Sequence, residues 1–136
     1  MADSFRLDTE QLHGLIPLAA TLGMRAIGGG PESVQVALDW REELCTAGVV
    51  MHGGALMALA DTTGAVAAFL NLPEGSLGTT TIESKTNLLA AVRDGAVTAT
   101  AAPLHVGRTV IVIETEVRDA GDRLVAKTTQ TQAVLR

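Results

Sequence analysis

Between Gly53 and Pro73 one side chain, Asp61, is ionisable, in a chain that is 18% charged overall. The stretch from Ala55 to Leu70 is rich in Ala, Leu and Met and free of proline, which suits a helix, and Pro73 is placed to stop it. Its apolar residues fall on every side rather than on one stripe, so such a helix either spans a membrane or is wrapped inside a core. A span needs about 20 strongly apolar residues with charges excluded. This run holds Asp61, Thr62, Thr63 and Gly64 and lacks basic flanks, so the expectation is a buried central helix. Asp61 would then sit where an ionised carboxylate is costly unless paired or hydrogen-bonded. Two readings stand side by side: a catalytic group, or a structural Asp bonded to Thr62, Thr63 or a helix N-terminus. His52-Gly53-Gly54 opens the helix, where glycine lets backbone amides approach a ligand and the helix dipole favours negative charge. An ordinary tight turn would use the same residues.

A chain of 136 residues is enough for one domain with a core of its own, and one domain spanning 1–136 is expected. The single Cys45 allows no internal disulfide, and the mixed, polar start from Met1 to Glu10 lacks the regions of a signal peptide; both fit a cytoplasmic protein. A net charge of −5 with one Trp, two Phe and no Tyr argues against a nucleic-acid partner. The hydrophobic content of 47% exceeds what a small monomer's core requires and points to subunit interfaces.

Ahead of the helix, residues 9 to 22 read as one or two helical turns capped by Thr9 and broken at Pro17, with His13 solvated. Gly28-Gly29-Gly30-Pro31 reads as a hairpin turn between strands at Met24 to Ile27 and Ser33 to Trp40. After the helix, strands are expected at Thr79 to Leu89, Ala96 to Val106, Thr109 to Arg118 and Arg123 to Leu135. Their joints, Val92 to Gly95, Gly107-Arg108 and Asp119 to Asp122, are hairpin-sized, which makes the four strands a meander of antiparallel neighbours. In the third of them Thr109, Ile111, Ile113, Thr115 and Val117 share one face and Glu114, Glu116 and Arg118 the other. Two strands, a buried helix and four strands are compatible with an α+β domain in which a long antiparallel sheet curls around the helix.

That order, with His52-Gly53-Gly54 at the helix entrance and an acidic residue nine positions after the histidine, resembles the hotdog-fold acyl-CoA thioesterases. It is most similar to their PaaI-like branch, named for phenylacetic acid degradation. The matching motifs are His-Gly-Gly with Leu-Ala-Asp61, the strand end Asn87-Leu88-Leu89, and His105-Val-Gly107-Arg108-Thr109. The resemblance implies a curled sheet of five to six strands around one long central helix, and a homodimer, often doubled to a tetramer, with active sites at the subunit interface. It implies that the Gly53 amide polarises the thioester carbonyl and that Asp61 of the other subunit is nucleophile or general base. One helix cannot present both to one carbonyl, since eight residues span about 12 Å at about 1.5 Å each. His52 would hold the loop before the helix. Thr81, with Thr79 as the competing register, would orient the attacking water. His105, Gly107, Arg108 and Thr109 match the turn that contacts the phosphates of coenzyme A, the leaving half of the substrate. No metal or redox cofactor is needed, and no membrane is involved.

The sequence also departs from the pattern. Relatives commonly carry Asn or Gln where this chain has Thr46, next to Cys45; Gly48 lies four residues before His52 rather than three; and Ala90 and Ala91 follow the strand end where Arg or Pro is common. A non-catalytic module binding acyl-CoA or an acyl-carrier thioester is the alternative to an enzyme. A dehydratase would place Asp and His together at the helix entrance, which is not seen here.

Overall fold

The computed structural model describes residues 6–136. The chain forms α1 (Thr9–Leu15), α2 (Pro17–Leu22), β1 (Arg25–Gly30), β2 (Ser33–Asp39), α3 (Gly53–Leu70), β3 (Gly78–Leu88), β4 (Ala96–Val106), β5 (Val110–Arg118) and β6 (Leu124–Leu135). The six strands make one antiparallel sheet in the order β1-β2-β4-β5-β6-β3. Its concave face is lined by Val34, Val36, Val97, Ala99, Ile111, Ile113 and Val117, all fully buried against Leu56, Leu59, Ala60 and Ala67 of α3. This is the expected α+β architecture of a curled sheet around one helix.

The four-strand meander is not what forms. β4, β5 and β6 do follow one another as hairpins, but β3 pairs with β6 and β4 pairs with β2, so β3 becomes an edge and residues 89–95 cross between distant strands. Leu89 and Ala90 donate their amides to Val125 O, and Val92 O accepts from Met51, so this connection is anchored as a crossover rather than closed as a turn. The glycine cluster differs too. Gly28, Gly29 and Gly30 lie inside β1, with a bulge between Ala26 and Gly28, and the turn is Pro31-Glu32. A side chain at Gly29 would run into the backbone of Ser33 and Val34, and its φ of 146° lies outside the range other residues favour. Asp8 rather than Thr9 caps α1, in a capping box with Gln11, and Pro17 starts α2 instead of only ending α1. His13 is half-buried, its Nε2 donating to Met24 O at 2.6 Å.

The helix is not covered all round. Leu56, Leu59, Ala60, Thr63 and Ala67 face the sheet, whereas Gly54, Met57, Asp61 and Phe69 follow one another at helical spacing along an open stripe. Its length and mean hydropathy of 1.4 match a membrane span, but the sheet provides its apolar surroundings.

Helix and sheet come closest at Gly64. A methyl group there would overlap Oε1 of Gln130, whose side chain is 1% exposed. Gly64→Ala should therefore cost about 1–3 kcal/mol through overpacking. In a Gln130→Ala background the same change should become stabilising by up to about 1 kcal/mol, the helix preference of Ala over Gly. Denaturant titration of the four proteins checks this cycle. At the β5–β6 turn the Asp119 carboxyl is held below its ordinary value of 3.8, first by the Arg123 amide and then by the Arg123 guanidinium and the Gly121 amide. Its contribution to stability is complete above the unfolded value and lost as pH falls through the lower folded one. Asp119→Asn should therefore flatten the fall of stability on the acid side of about pH 4, measured by thermal unfolding across pH.

Candidate active site

Asp61 lies on the open stripe of α3, exposed in the single chain rather than sealed in the core. Its structural partners are not Thr62 or Thr63; Thr63 Oγ1 instead donates back to Leu59 O. Asp61 Oδ1 accepts from Thr81 Oγ1 at 3.3 Å and from Gln130 Nε2 at 3.2 Å. Thr81 Oγ1 in turn accepts from Gln132 Nε2 at 2.6 Å, and Gln132 Oε1 accepts from Thr79 Oγ1 at 3.1 Å. The donors all point the same way, from Thr79 through Gln132 and Thr81 to the carboxylate. Chains of this kind polarise one another, and this one orients the Asp61 carboxylate. Both threonines that compete on sequence register thus belong to one network, with Thr81 touching the carboxylate.

Gln130 and Gln132 are the site residues that sequence reasoning missed. Their alternation in Lys127 to Leu135 reads as the polar face of a half-solvated strand, yet both are 1% exposed on the concave side. The sequence cue was available: β6 alternates Thr128, Gln130 and Gln132 in register with Thr115, Ile113 and Ile111 of β5, whose concave face is plain from its own pattern.

A bulge sets the edge strand. Between Thr81 and Glu83 the β3–β6 register slips, leaving Ile82 as the extra residue. Before the bulge Thr79 and Thr81 face the helix; after it, Ser84, Thr86 and Leu88 lie opposite Gln130, Thr128 and Ala126 on that same face. Leu88 consequently reaches the helix entrance, where its Cδ1 stands 2.5 Å from the position a Cβ at Gly53 would take. A side chain at Gly53 would have to displace the end of Leu88.

At that entrance His52 is the N-cap, its Nδ1 accepting from the Gly54 amide at 2.7 Å, and its own amide donates to Leu44 O. The bond engages Nδ1 as acceptor in the neutral ring. The Gly53 amide, next to it, makes no hydrogen bond among the described residues. Thr46 lies in the preceding loop, exposed, with its amide bonded to Val50 O. That loop turns through Gly48 and Val49, both at positive φ (76° and 55°), and the Trp40 indole donates to Val49 O at 3.1 Å. A β-branched residue in the left-handed region is strained, and the indole bond pins it. Cys45 is half-buried, its thiol facing Arg41 O.

The structure joins Asp61 with Thr81 and separates them from the rest. Gly53 and His52 are two turns of helix away. Gly107, Arg108 and Thr109 form the β4–β5 turn, closed by the Gly107 amide on Val110 O and tied to β6 by the Val134 amide on Thr109 O. A second bulge, between Pro103 and His105, puts His105 opposite Val112 on the outer face of the sheet, its ring against Gly107. Arg108 is exposed. No cluster of His, Cys, Asp and Glu suited to a metal occurs among the described residues.

Residues 48–126 match the model of the thioesterase superfamily. A relative from Mycobacterium tuberculosis is 30% identical over 118 residues, covering 85% of this chain and 84% of that one. The 1,4-dihydroxy-2-naphthoyl-CoA hydrolase of Escherichia coli is 34% identical over 86 residues, covering 63% of this chain and 62% of the other. A Vibrio cholerae relative is 39% identical over 87 residues, which span 57% of its length. Among solved structures, a thioesterase from Haemophilus influenzae superposes with a TM-score of 0.88 at 28% identity, over 100% of this chain and 96% of that one. A thioesterase variant from Pseudomonas aeruginosa gives 0.87 at 27% identity, over 95% and 94%. The chain belongs to the thioesterase superfamily and is a thioester hydrolase of the hotdog fold.

Proposed function

We propose that the protein hydrolyses an acyl-CoA thioester to a free acid and coenzyme A, in the cytoplasm, at sites shared between two subunits. The observation that carries this reading is Asp61 itself: a carboxylate held by Thr81 and Gln130 on an otherwise apolar open stripe, beside an unpaired strand edge. β3 runs 11 residues along that edge, with Ile82 62% exposed and Leu88 51% exposed. An unpaired edge of that length offers a row of free backbone groups to another chain. Antiparallel pairing of two β3 edges sets the Leu88 end of one subunit, which touches Gly53, against the Gly78 to Thr81 end of its mate, which holds Asp61. The amide and the carboxylate that one helix keeps about 12 Å apart then face one carbonyl from opposite sides, and the open stripe of α3 is covered.

In this arrangement the thioester oxygen accepts a hydrogen bond from the Gly53 amide, where the helix dipole adds to the stabilisation of the oxyanion. The partner subunit's Asp61 takes a proton from water as the oxygen attacks the carbonyl carbon, then returns it to the departing thiolate as the C–S bond breaks. Alternatively the carboxylate attacks directly and water resolves the anhydride. Thr81 holds the carboxylate in place, and His52 keeps the helix entrance in register. Thr46 occupies the loop that approaches the carbonyl side. Gly107, Arg108 and Thr109 supply amides and a cation for the phosphates of coenzyme A, with His105 at the outer rim. The chemistry asks for no cofactor.

Asp61→Asn should lower kcat for thiol release from acyl-CoA by about 10²–10⁴-fold while leaving thioester binding in place; binding with no turnover in wild type would instead mark a non-catalytic module. Thr81→Val should reduce kcat less, because Gln130 still holds the carboxylate. Ile82→Lys with Ser84→Pro, which disrupts the β3 edge, should convert the oligomer to monomer in light scattering and abolish turnover at the same time.

A further inference from the structure

One buried position in β5 carries a hydroxyl where the pattern of the strand calls for a hydrocarbon. Ile111, Ile113, Thr115 and Val117 share the concave face and are all fully buried, and valine has the branched shape of threonine without its oxygen. Thr115 stands between Ala101 of β4 and Thr128 of β6. Thr128 is already bonded to the Thr86 hydroxyl at 2.7 Å. Thr115 Oγ1 has no hydrogen-bond partner, and among the described residues one other buried side-chain atom shares that condition, Gln130 Oε1. The two are complementary, since a hydroxyl can donate and an amide oxygen only accepts. They are also neighbours. Thr115 is opposite Thr128 and Ile113 is opposite Gln130, so Thr115 and Gln130 lie diagonally on one face of the β5–β6 ladder, a separation that a long side chain spans.

Gln130 connects this hydroxyl to Asp61. Its Nε2 donates to Asp61 Oδ1 at 3.2 Å, and Thr81 Oγ1 donates to the same oxygen at 3.3 Å, whereas Oδ2 makes no hydrogen bond among the described residues. The two ends of a glutamine amide have nearly the same shape, so its partners decide which end faces the carboxylate. Turned over, the amide would set Oε1 against Oδ1, acceptor against acceptor. We propose, building on the thioesterase reading, that Thr115 is a positioning residue for the reaction: its hydroxyl donates to Gln130 Oε1, which fixes the amide with Nε2 on Asp61 Oδ1 and leaves Oδ2 as the oxygen that reacts. The proton of the attacking water passes to Oδ2 as the water oxygen bonds to the carbonyl carbon, and it passes from Oδ2 to the sulfur as the C–S bond breaks. Oδ1, with both donors in place, stays out of the transfer. Thr115 touches none of the reacting atoms and acts only through Gln130.

Two readouts separate this proposal from the thioesterase reading. Heteronuclear NMR of the side-chain amides, with the Gln130 pair assigned by its disappearance in Gln130→Met, reads the Thr115 contact without substrate. Thiol release from octanoyl- and benzoyl-CoA reads its consequence. Thr115→Val should shift the Gln130 amide and speed its hydrogen exchange. It should also lower kcat by about 3- to 10-fold, the equivalent of one neutral hydrogen bond, with KM unchanged. Thr115→Ser, which keeps the hydroxyl, should recover both. In a Gln130→Met background Thr115→Val should have no further effect on kcat, because the two residues act as one unit. Thermal unfolding supplies the control. A hydroxyl with no role is merely buried and unpaired, so Thr115→Val would then raise the unfolding temperature and leave kcat and the Gln130 amide unmoved. That result would overturn the proposal, as would a loss of kcat that Thr115→Ser fails to recover. A Gln130 amide that responds to Thr115→Val and not to Thr115→Ser, in a protein that releases no thiol, would uphold the contact and count against the enzyme reading alone.

Discussion

The need to cover α3 governs this molecule. A helix whose only ionisable residue between Gly53 and Pro73 is Asp61 must lose most of its surface to other apolar groups, and at about 25 cal/mol per Å² such burial is the main stabilising term available. The curled sheet does this on one side, through Val34, Val36, Val97, Ile111, Ile113 and Val117. The stripe of Met57, Asp61 and Phe69 is left open, and it is continuous with the exposed β3 edge. An incompletely covered helix and an unpaired strand side by side make a surface suited to a second copy, and on the proposed reading the substrate is enclosed there.

Within that frame the polar groups are concentrated rather than scattered. Thr79, Gln132, Thr81, Gln130 and Asp61 form one hydrogen-bonded group on the concave face, beside the buried Thr115 and Thr128. Gln130 and Gln132, buried at 1% exposure, each donate to a partner, as a buried amide N–H without one would be costly; Gln130 Oε1 is left without a partner among the described residues. Gly64 is the steric condition for it, since any side chain there would occupy the place of the Gln130 amide. The bulge at Ile82 is the second condition. It turns the alternation of β3 so that Thr81 meets Asp61 and Leu88, seven residues on, meets Gly53 on the same face. The two ends of the proposed site are thus set by one irregularity in one strand.

Much of this was legible in the sequence because it rests on local pattern. The central helix, the five expected strand positions from Ser33 onward and the alternation in β5 follow from side-chain periodicity, which is a property of neighbouring residues. What was not legible depends on distant pairing. Hairpin-sized spacing at Val92 to Gly95 reads as a turn, but β2 competes for β4 with a six-residue register from Val34 to Asp39, and β3 is displaced to the far edge. Bulges at Ile82 and Leu104 leave no mark in composition, so the reversal that puts Leu88 inward and His105 outward was out of reach. Gln130 and Gln132 read as solvated because polar alternation on a strand usually is. Asp61 was expected to be sealed in by its own chain, whereas its cover on the proposed reading comes from a second one.

The shared site is tested most directly by mixing two inactive proteins. One carries Asp61→Asn. The other carries Gly53→Pro, which removes the amide at a helix position where proline is tolerated, together with Leu88→Ala to clear the contact that Leu88 makes there. After co-refolding, each mixed dimer should contain one site with an intact amide and the partner subunit's intact Asp61, and thiol release should return at half the sites of those dimers. If mixed dimers form and remain as inactive as either parent, amide and carboxylate do not serve one thioester across the interface, and the account is wrong.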